Sequence, residues 1–159
     1  MKFVYGRNDF RTLKRAEENC YLITNGLGGF SSLTIASSCA RGDQTLFMAA
    51  LTAPNKRYQL IANTIEKLYI DGEEYLLSAQ RFTEDDKEWQ GFKYLNGFSY
   101  EYVPEYVYKV GAVEVIKSVV MKQGVNTLGV KYEIVNYGDA KVSLEVTPLL
   151  NFSPKGKMP

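Results

Sequence analysis

Four acids, Glu84, Asp85, Asp86 and Glu88, crowd beside the single tryptophan of the chain, Trp89. Carboxylates are the acids and bases of glycoside hydrolysis, but that reaction needs two of them set across a sugar by the fold, not side by side in one loop. The run therefore reads as a solvated face, and no catalytic residue is assigned. Trp89 offers different chemistry. An indole face stacks on the C–H groups of a sugar ring while polar neighbours such as Arg81 and Gln90 bond its hydroxyls. The competing reading makes Trp89 a core plug with its N–H bonded. Arg41 and Asn25 complete the candidate carbohydrate contacts.

Gly26-Leu27-Gly28-Gly29 comes after an apolar segment and invites comparison with phosphate-binding loops. A dinucleotide fingerprint needs G-x-G-x-x-G opening a helix. Here the last position is Ser31, the residues after it are poor in helix formers, and no Lys-Ser/Thr pair completes a Walker loop. Asn25, Gly26, Gly28 and Gly29 read instead as a structural loop acting through backbone shape. Asn-Gly tolerates positive φ, and glycines let a loop lie against a neighbouring strand. Arg41-Gly42-Asp43 reads as a tight turn with two exposed charges.

The composition removes whole classes of chemistry. There is no His among the 159 residues, so neither a Ser-His-Asp nor a Cys-His arrangement can be built within the chain. His-ligated zinc is excluded too, and two cysteines cannot make a Cys₄ site, so no metal and no cofactor is expected. Cys20 and Cys39 read as two free, buried thiols of a cytoplasmic protein. Nineteen Lys and Arg stand against 18 Asp and Glu, a net charge of +1. No global field draws the chain to nucleic acid or to an anionic membrane, and no apolar run approaches a membrane span of about 18 residues. The start of the chain turns polar too soon for a signal peptide.

The elements that would carry these residues are mostly strands. Asp9 is placed to cap a short helix over Phe10 to Glu17. Cys20 to Thr24 reads as a buried strand ending at Asn25-Gly26, and Gln44 to Thr52 as another. Leu60 to Ile70 leads into Asp71-Gly72, the clearest hairpin signal, with Glu74 to Ser78 as the return strand. Phe98, Tyr100 and Tyr102 alternate with polar residues, and Tyr106, Tyr108 and Val110 continue beyond Pro104. Val113 to Met121, Leu128 to Val135 and Val142 to Leu150 complete a spacing of about 8–12 residues, that of an antiparallel sandwich or barrel. The pattern predicts one mainly β domain over residues 1–159, with at most one or two short helices.

Tyr21-Leu-Ile-Thr-Asn-Gly-Leu-Gly-Gly-Phe30, with Leu46-Phe-Met-Ala-Ala-Leu51 after it, resembles the N-terminal domain of bacterial and archaeal glycogen debranching enzymes of the amylo-α-1,6-glucosidase type. The resemblance continues in Ile65-Glu-Lys-Leu68, Asp71-Gly-Glu-Glu-Tyr75, Val119-Val-Met121, Gly124-Val-Asn-Thr127 and Pro148-Leu-Leu150, over most of residues 18–152. It implies an antiparallel β-sandwich of the supersandwich (galactose mutarotase-like) type. In the family this domain precedes an (α/α)₆ helical barrel that carries the catalytic carboxylates. This chain has no helical repeats to form that barrel, so the resemblance implies a non-catalytic domain tied to α-glucan metabolism. The family pattern Arg-Arg-Tyr-His-Gly before the apolar strand reads Arg41-Gly42-Asp43-Gln44-Thr45 here. Only Arg41 is kept, and any sugar or inter-domain role of the missing Arg, Tyr and His does not carry over.

Two classes of function remain open. One is an accessory carbohydrate-associated domain, with α-glucan and a separate catalytic barrel as partners. The other is an interaction or oligomerisation module that kept the fold and lost the sugar role. A third reading, a barrel holding a small apolar ligand, needs an internal pocket. Tyr100, Tyr102, Tyr106 and Tyr108 are expected to form part of an aromatic docking face, and a homo-oligomer is expected from that face and from open sheet edges.

Overall fold

The computed structural model describes residues 1–82 and 87–156. Its strands are β1 (Phe3–Gly6), β2 (Ile23–Thr24), β3 (Phe30–Ser32), β4 (Thr45–Thr52), β5 (Lys56–Ile70), β6 (Glu73–Leu76), β7 (Ala79–Arg81) and β8 (Glu88–Gln90). They continue with β9 (Leu95–Tyr100), β10 (Pro104–Val110), β11 (Val113–Met121), β12 (Leu128–Asn136) and β13 (Val142–Pro154). One sheet runs β1-β9-β10-β11-β12; the other runs β13-β5-β4-β3-β2, with β6 also on β5. Strands β7 and β8 form a separate hairpin. Every pairing is antiparallel. The chain is mainly β, as its alternation and turn spacing predict.

The Asp71-Gly72 hairpin forms as predicted. Both residues have positive φ, 49° and 86°, the combination that matches the twist of a two-residue hairpin. The N-terminal helix is shorter than expected and differently capped. Helix α1 spans only Leu13–Ala16, and Thr12 Oγ1 accepts from the Arg15 N–H at 3.2 Å. Asp9 instead accepts from the Gly6 N–H at 3.0 Å and holds a 3-10 turn over Arg7–Phe10. Two short pieces let Phe10 and Leu13 both reach the core, at 4% and 1% exposure. The expected strand over Cys20 to Thr24 shrinks to β2. Cys20 makes one isolated bridge to Thr34, and Leu22 faces outward.

The two sheets share one core. Tyr21, ahead of β2, packs against Phe98 of β9 and Tyr106 of β10, with ring centroids 6.4 Å apart in both pairs. This overturns the tyrosine docking face. Tyr106 and Tyr108 point inward and are 0% and 1% exposed, and the Tyr106 hydroxyl donates to the Thr34 carbonyl at 2.8 Å. Tyr100 is half-buried and donates to the Leu22 carbonyl. Only Tyr102, in the β9–β10 turn, stands in solvent. Alternation puts these aromatics on one face; the second sheet covers that face.

At the centre of the core lies an ion pair between the sheets. Lys117 of β11 is fully buried, and its Nζ donates to Glu66 of β5 at 2.7 Å. The same ammonium donates to Ser37 Oγ at 2.9 Å and Thr64 Oγ1 at 3.0 Å, using all three protons. Glu66 also accepts from the hydroxyls of Thr64, Ser78 and Tyr132. Burial pushes the Glu66 carboxyl up, but the Lys117 charge and these hydrogen bonds outweigh it and hold it below the ordinary carboxylate range. Ser37 adopts a φ of 60°, a left-handed conformation rare outside glycine, to bring its hydroxyl to the ammonium.

Breaking a buried pair by removing one partner leaves an uncompensated charge and costs about 3–5 kcal/mol, whereas apolar replacement of both is far milder. Lys117→Met is therefore expected to destabilise the fold by that amount. Adding Glu66→Met should recover most of the loss, read from urea unfolding midpoints. A double variant no more stable than the single one would contradict the pairing.

Candidate functional site

The glycine-rich loop is tied across the molecule by Asn25. This residue is fully buried, and both polar atoms of its side chain are used. Oδ1 accepts from the N–H groups of Leu27 and Gly29 at 3.0 Å, a local turn. Nδ2 donates to the Val125 carbonyl and to Asn126 Oδ1 at 3.1 Å, in the β11–β12 turn. Asn126 in turn pairs its amide with both the N–H and the carbonyl of Ala50 on β4. One asparagine relay thus links the loop, a turn of the first sheet and a strand of the second. Gly26 and Gly28 have positive φ, 78° and 97°. A Cβ at Gly28 would lie 2.7 Å from the Pro54 carbonyl oxygen, and one at Gly29 2.9 Å from that of Met48. Asn25 consequently has no side-chain group left for a sugar.

Trp89 and Arg81 share the β7–β8 hairpin, where Trp89 pairs with Gln80 and Arg81 with Glu88. The half-buried Trp89 ring meets Phe82 edge-on, with centroids 4.9 Å apart at 71°. Both rings border a cavity of about 410 Å³, together with Cys39, Ala62 and Leu149. Its polar neighbours are occupied. Gln80 clamps the Cys39 backbone, accepting from its N–H at 3.0 Å and donating to its carbonyl at 2.9 Å. Asn63 donates to the Ser37 carbonyl at 2.7 Å. What the cavity offers is aromatic surface. Arg81 lies 3.8 Å from Glu17 and 3.7 Å from Glu88. Glu84, Asp85 and Asp86 lie outside the described residues.

Arg41 belongs to a different place. It lines a cavity of about 670 Å³ with Arg57, Lys155, Asp43, Gln44, Phe30 and the loop glycines Gly28 and Gly29. The four candidate sugar contacts are therefore not one site: Trp89 and Arg81 sit together, Arg41 lines the second cavity, and Asn25 is structural.

The thiols also differ from expectation. Cys20 is exposed and borders the Arg41 cavity; Cys39 is half-buried. Burial pushes the Cys39 thiol up to about 12 against the opposing pull of Lys117. Cys20 emerges because its strand pairs at only one point there. Sequence reasoning missed Lys117 and Glu66. Lys117 falls on the inward positions of the Val113, Val115, Val119 alternation, so period alone marks it.

Two antiparallel sheets that share one core, with a tightly bonded Asn-Gly-Leu-Gly-Gly turn, define a mainly β domain in which this loop is architectural. Residues 19–158 match the family model of the glycogen debranching enzyme N-terminal domain, and the chain belongs to that family. No curated protein and no solved structure shows significant similarity to it. Among the described residues, no helix is long and apolar enough to cross a membrane.

Gly28 and Gly72 separate two costs of a side chain. Both have positive φ, but a Cβ at Gly72 meets nothing within 4 Å. Gly72→Ala is expected to cost about 1 kcal/mol, the left-handed penalty alone. Gly28→Ala should cost at least about 1 kcal/mol more, because the Pro54 carbonyl must move as well. Equal melting temperatures for the two variants would contradict the close approach.

Proposed function

We propose that this is a non-catalytic α-glucan-contacting domain of a glycogen-debranching system, acting beside a separate (α/α)₆ catalytic barrel. The family membership supports the system, and the two antiparallel sheets agree with the supersandwich type. The observation that carries the sugar contact is the Trp89–Phe82 pair on the β7–β8 hairpin. Two part-exposed aromatic rings edge a cavity whose polar walls are already bonded internally. Such a surface gains from stacking on the apolar faces of glucose units, and the exposed guanidinium of Arg81, on the same hairpin, would bond hydroxyls with the donors that its contacts to Glu17 and Glu88 leave free. Retarded migration of the pure chain in a native gel containing glycogen or amylopectin is expected, and Trp89→Ala should abolish it. Migration unaffected by either polysaccharide would refute the contact. No glucose should be released from the same polysaccharides.

The second reading, an interaction or oligomerisation module, is favoured by the open strand edges. β12 and β13 each pair on one side only among the described residues. β13 is 13 residues long and carries Leu150 and Phe152, 77% and 70% exposed. Long edges with exposed apolar side chains invite pairing with another chain. Under this reading light scattering gives a mass above one chain, and Leu150→Lys with Phe152→Lys lowers it. A single-chain mass that persists on concentration would remove it.

A further inference from the structure

The cavity around Arg41 differs from the Trp89 cavity in one physical respect: among the described residues its cationic donors are not paired with carboxylates. Arg41, Arg57 and Lys155 all line it, and none of them is in an ion pair among the described residues. Arg57 Nε is buried without a hydrogen-bond partner among the described residues, and so is Gln44 Nε2. Gln44 is only 5% exposed, and its Oε1 is fixed by the N–H groups of Ala40 and Arg41, at 2.6 and 3.1 Å. That anchoring fixes a residue of the cavity wall with its amide nitrogen unpaired just behind the surface. A buried donor without a partner is costly to the fold, and an acceptor that reaches it from the cavity recovers that cost.

The charges state what the acceptor is. Three cations and the single carboxylate of Asp43 leave a surplus of two positive charges around one concavity. A phosphate monoester carries about −1.5 to −2 at neutral pH and presents three acceptor oxygens. Arginine forks suit that group because they donate two parallel hydrogen bonds. The cavity, at about 670 Å³, is also much larger than a phosphate ion needs. Asp43 can accept from hydroxyls, and the Phe30 ring at the wall gives an apolar surface. Lys155 already lies 5.6 Å from the centroid of that ring.

We propose that this cavity binds a phosphorylated sugar, with Arg41, Arg57, Lys155 and the Gln44 amide holding the phosphate and Asp43 a hydroxyl. The proposal stands apart from the Trp89 glucan contact, which lies on another hairpin and uses none of these residues.

Cys20 provides the readout, because it is exposed at the edge of the same cavity. Its rate of reaction with a thiol reagent is measured with glucose-6-phosphate, glucose and inorganic phosphate as probes. Glucose-6-phosphate should slow it at a concentration about tenfold below that needed for inorganic phosphate, and glucose should leave it unchanged. Added salt should weaken the protection. Arg41→Ala with Lys155→Ala, both exposed positions, should remove it, and Asp43→Asn should tighten phosphate binding by lifting the local repulsion. Titration calorimetry gives the same ranking directly. Overturning results are an unprotected Cys20 with no calorimetric signal, equal potency of inorganic phosphate and glucose-6-phosphate, or protection that survives loss of the two cations. Trp89→Ala leaves this assay unchanged, so loss of glucan binding and loss of phosphate binding are read separately.

Discussion

Moving a lysine ammonium and a glutamate carboxylate out of water costs several kcal/mol for each ion. This fold accepts that cost at its centre and surrounds both ions with partners. Lys117 comes from one sheet and Glu66 from the other, and they meet 2.7 Å apart with hydroxyls of Ser37, Thr64, Ser78 and Tyr132 on the remaining positions. An apolar core tolerates sliding of one sheet over the other, because the hydrophobic effect has no direction. A buried ion pair does not, since every small shift strands a charge. The relative placement of the two sheets therefore depends on this contact, and so does the unusual backbone of Ser37.

The asparagine relay does at the edge what the ion pair does in the middle. Asn25, Asn126 and Ala50 are joined by amide hydrogen bonds across about a hundred residues of chain. The relay brings the glycine loop hard against Pro54 and Met48, and this leaves room for glycine alone. A motif rich in glycine beside a cavity looks like a ligand loop. Here its N–H groups at Leu27 and Gly29 are already taken by Asn25.

The two cavities show how hydrogen-bond satisfaction separates kinds of site. Around Trp89 the amides of Gln80 and Asn63 serve the protein, and the free surface is aromatic. Around Arg41 the cations have no carboxylate partner among the described residues, and an amide there is orphaned. The former suits the apolar face of a sugar, the latter an anion. One domain thus presents two chemically distinct surfaces.

Local chemistry was legible in the sequence. The absence of His, the Asp71-Gly72 hairpin, the positive-φ loop and the alternation of β9 to β13 come from residue type and period, because φ preference and side-chain direction are set within a few residues. The Thr-Asn-Gly-Leu-Gly-Gly core was specific enough to give the family. The short cap at Thr12, the exposure of Cys20 and the burial of Tyr106 and Tyr108 were not legible, because each depends on what the opposite sheet covers. The same holds for the cavity groups. Arg41 precedes β4, Arg57 lies at the start of β5 and Lys155 comes just after β13; only the pairing of β13 on β5, with the Lys155 N–H bonded to the Arg57 carbonyl at 2.9 Å, brings the last two together. Sequence determined which strands could form and which faces were apolar. Tertiary structure decided which polar groups were consumed inside and which were left facing a cavity, since that balance is struck between residues far apart in the chain.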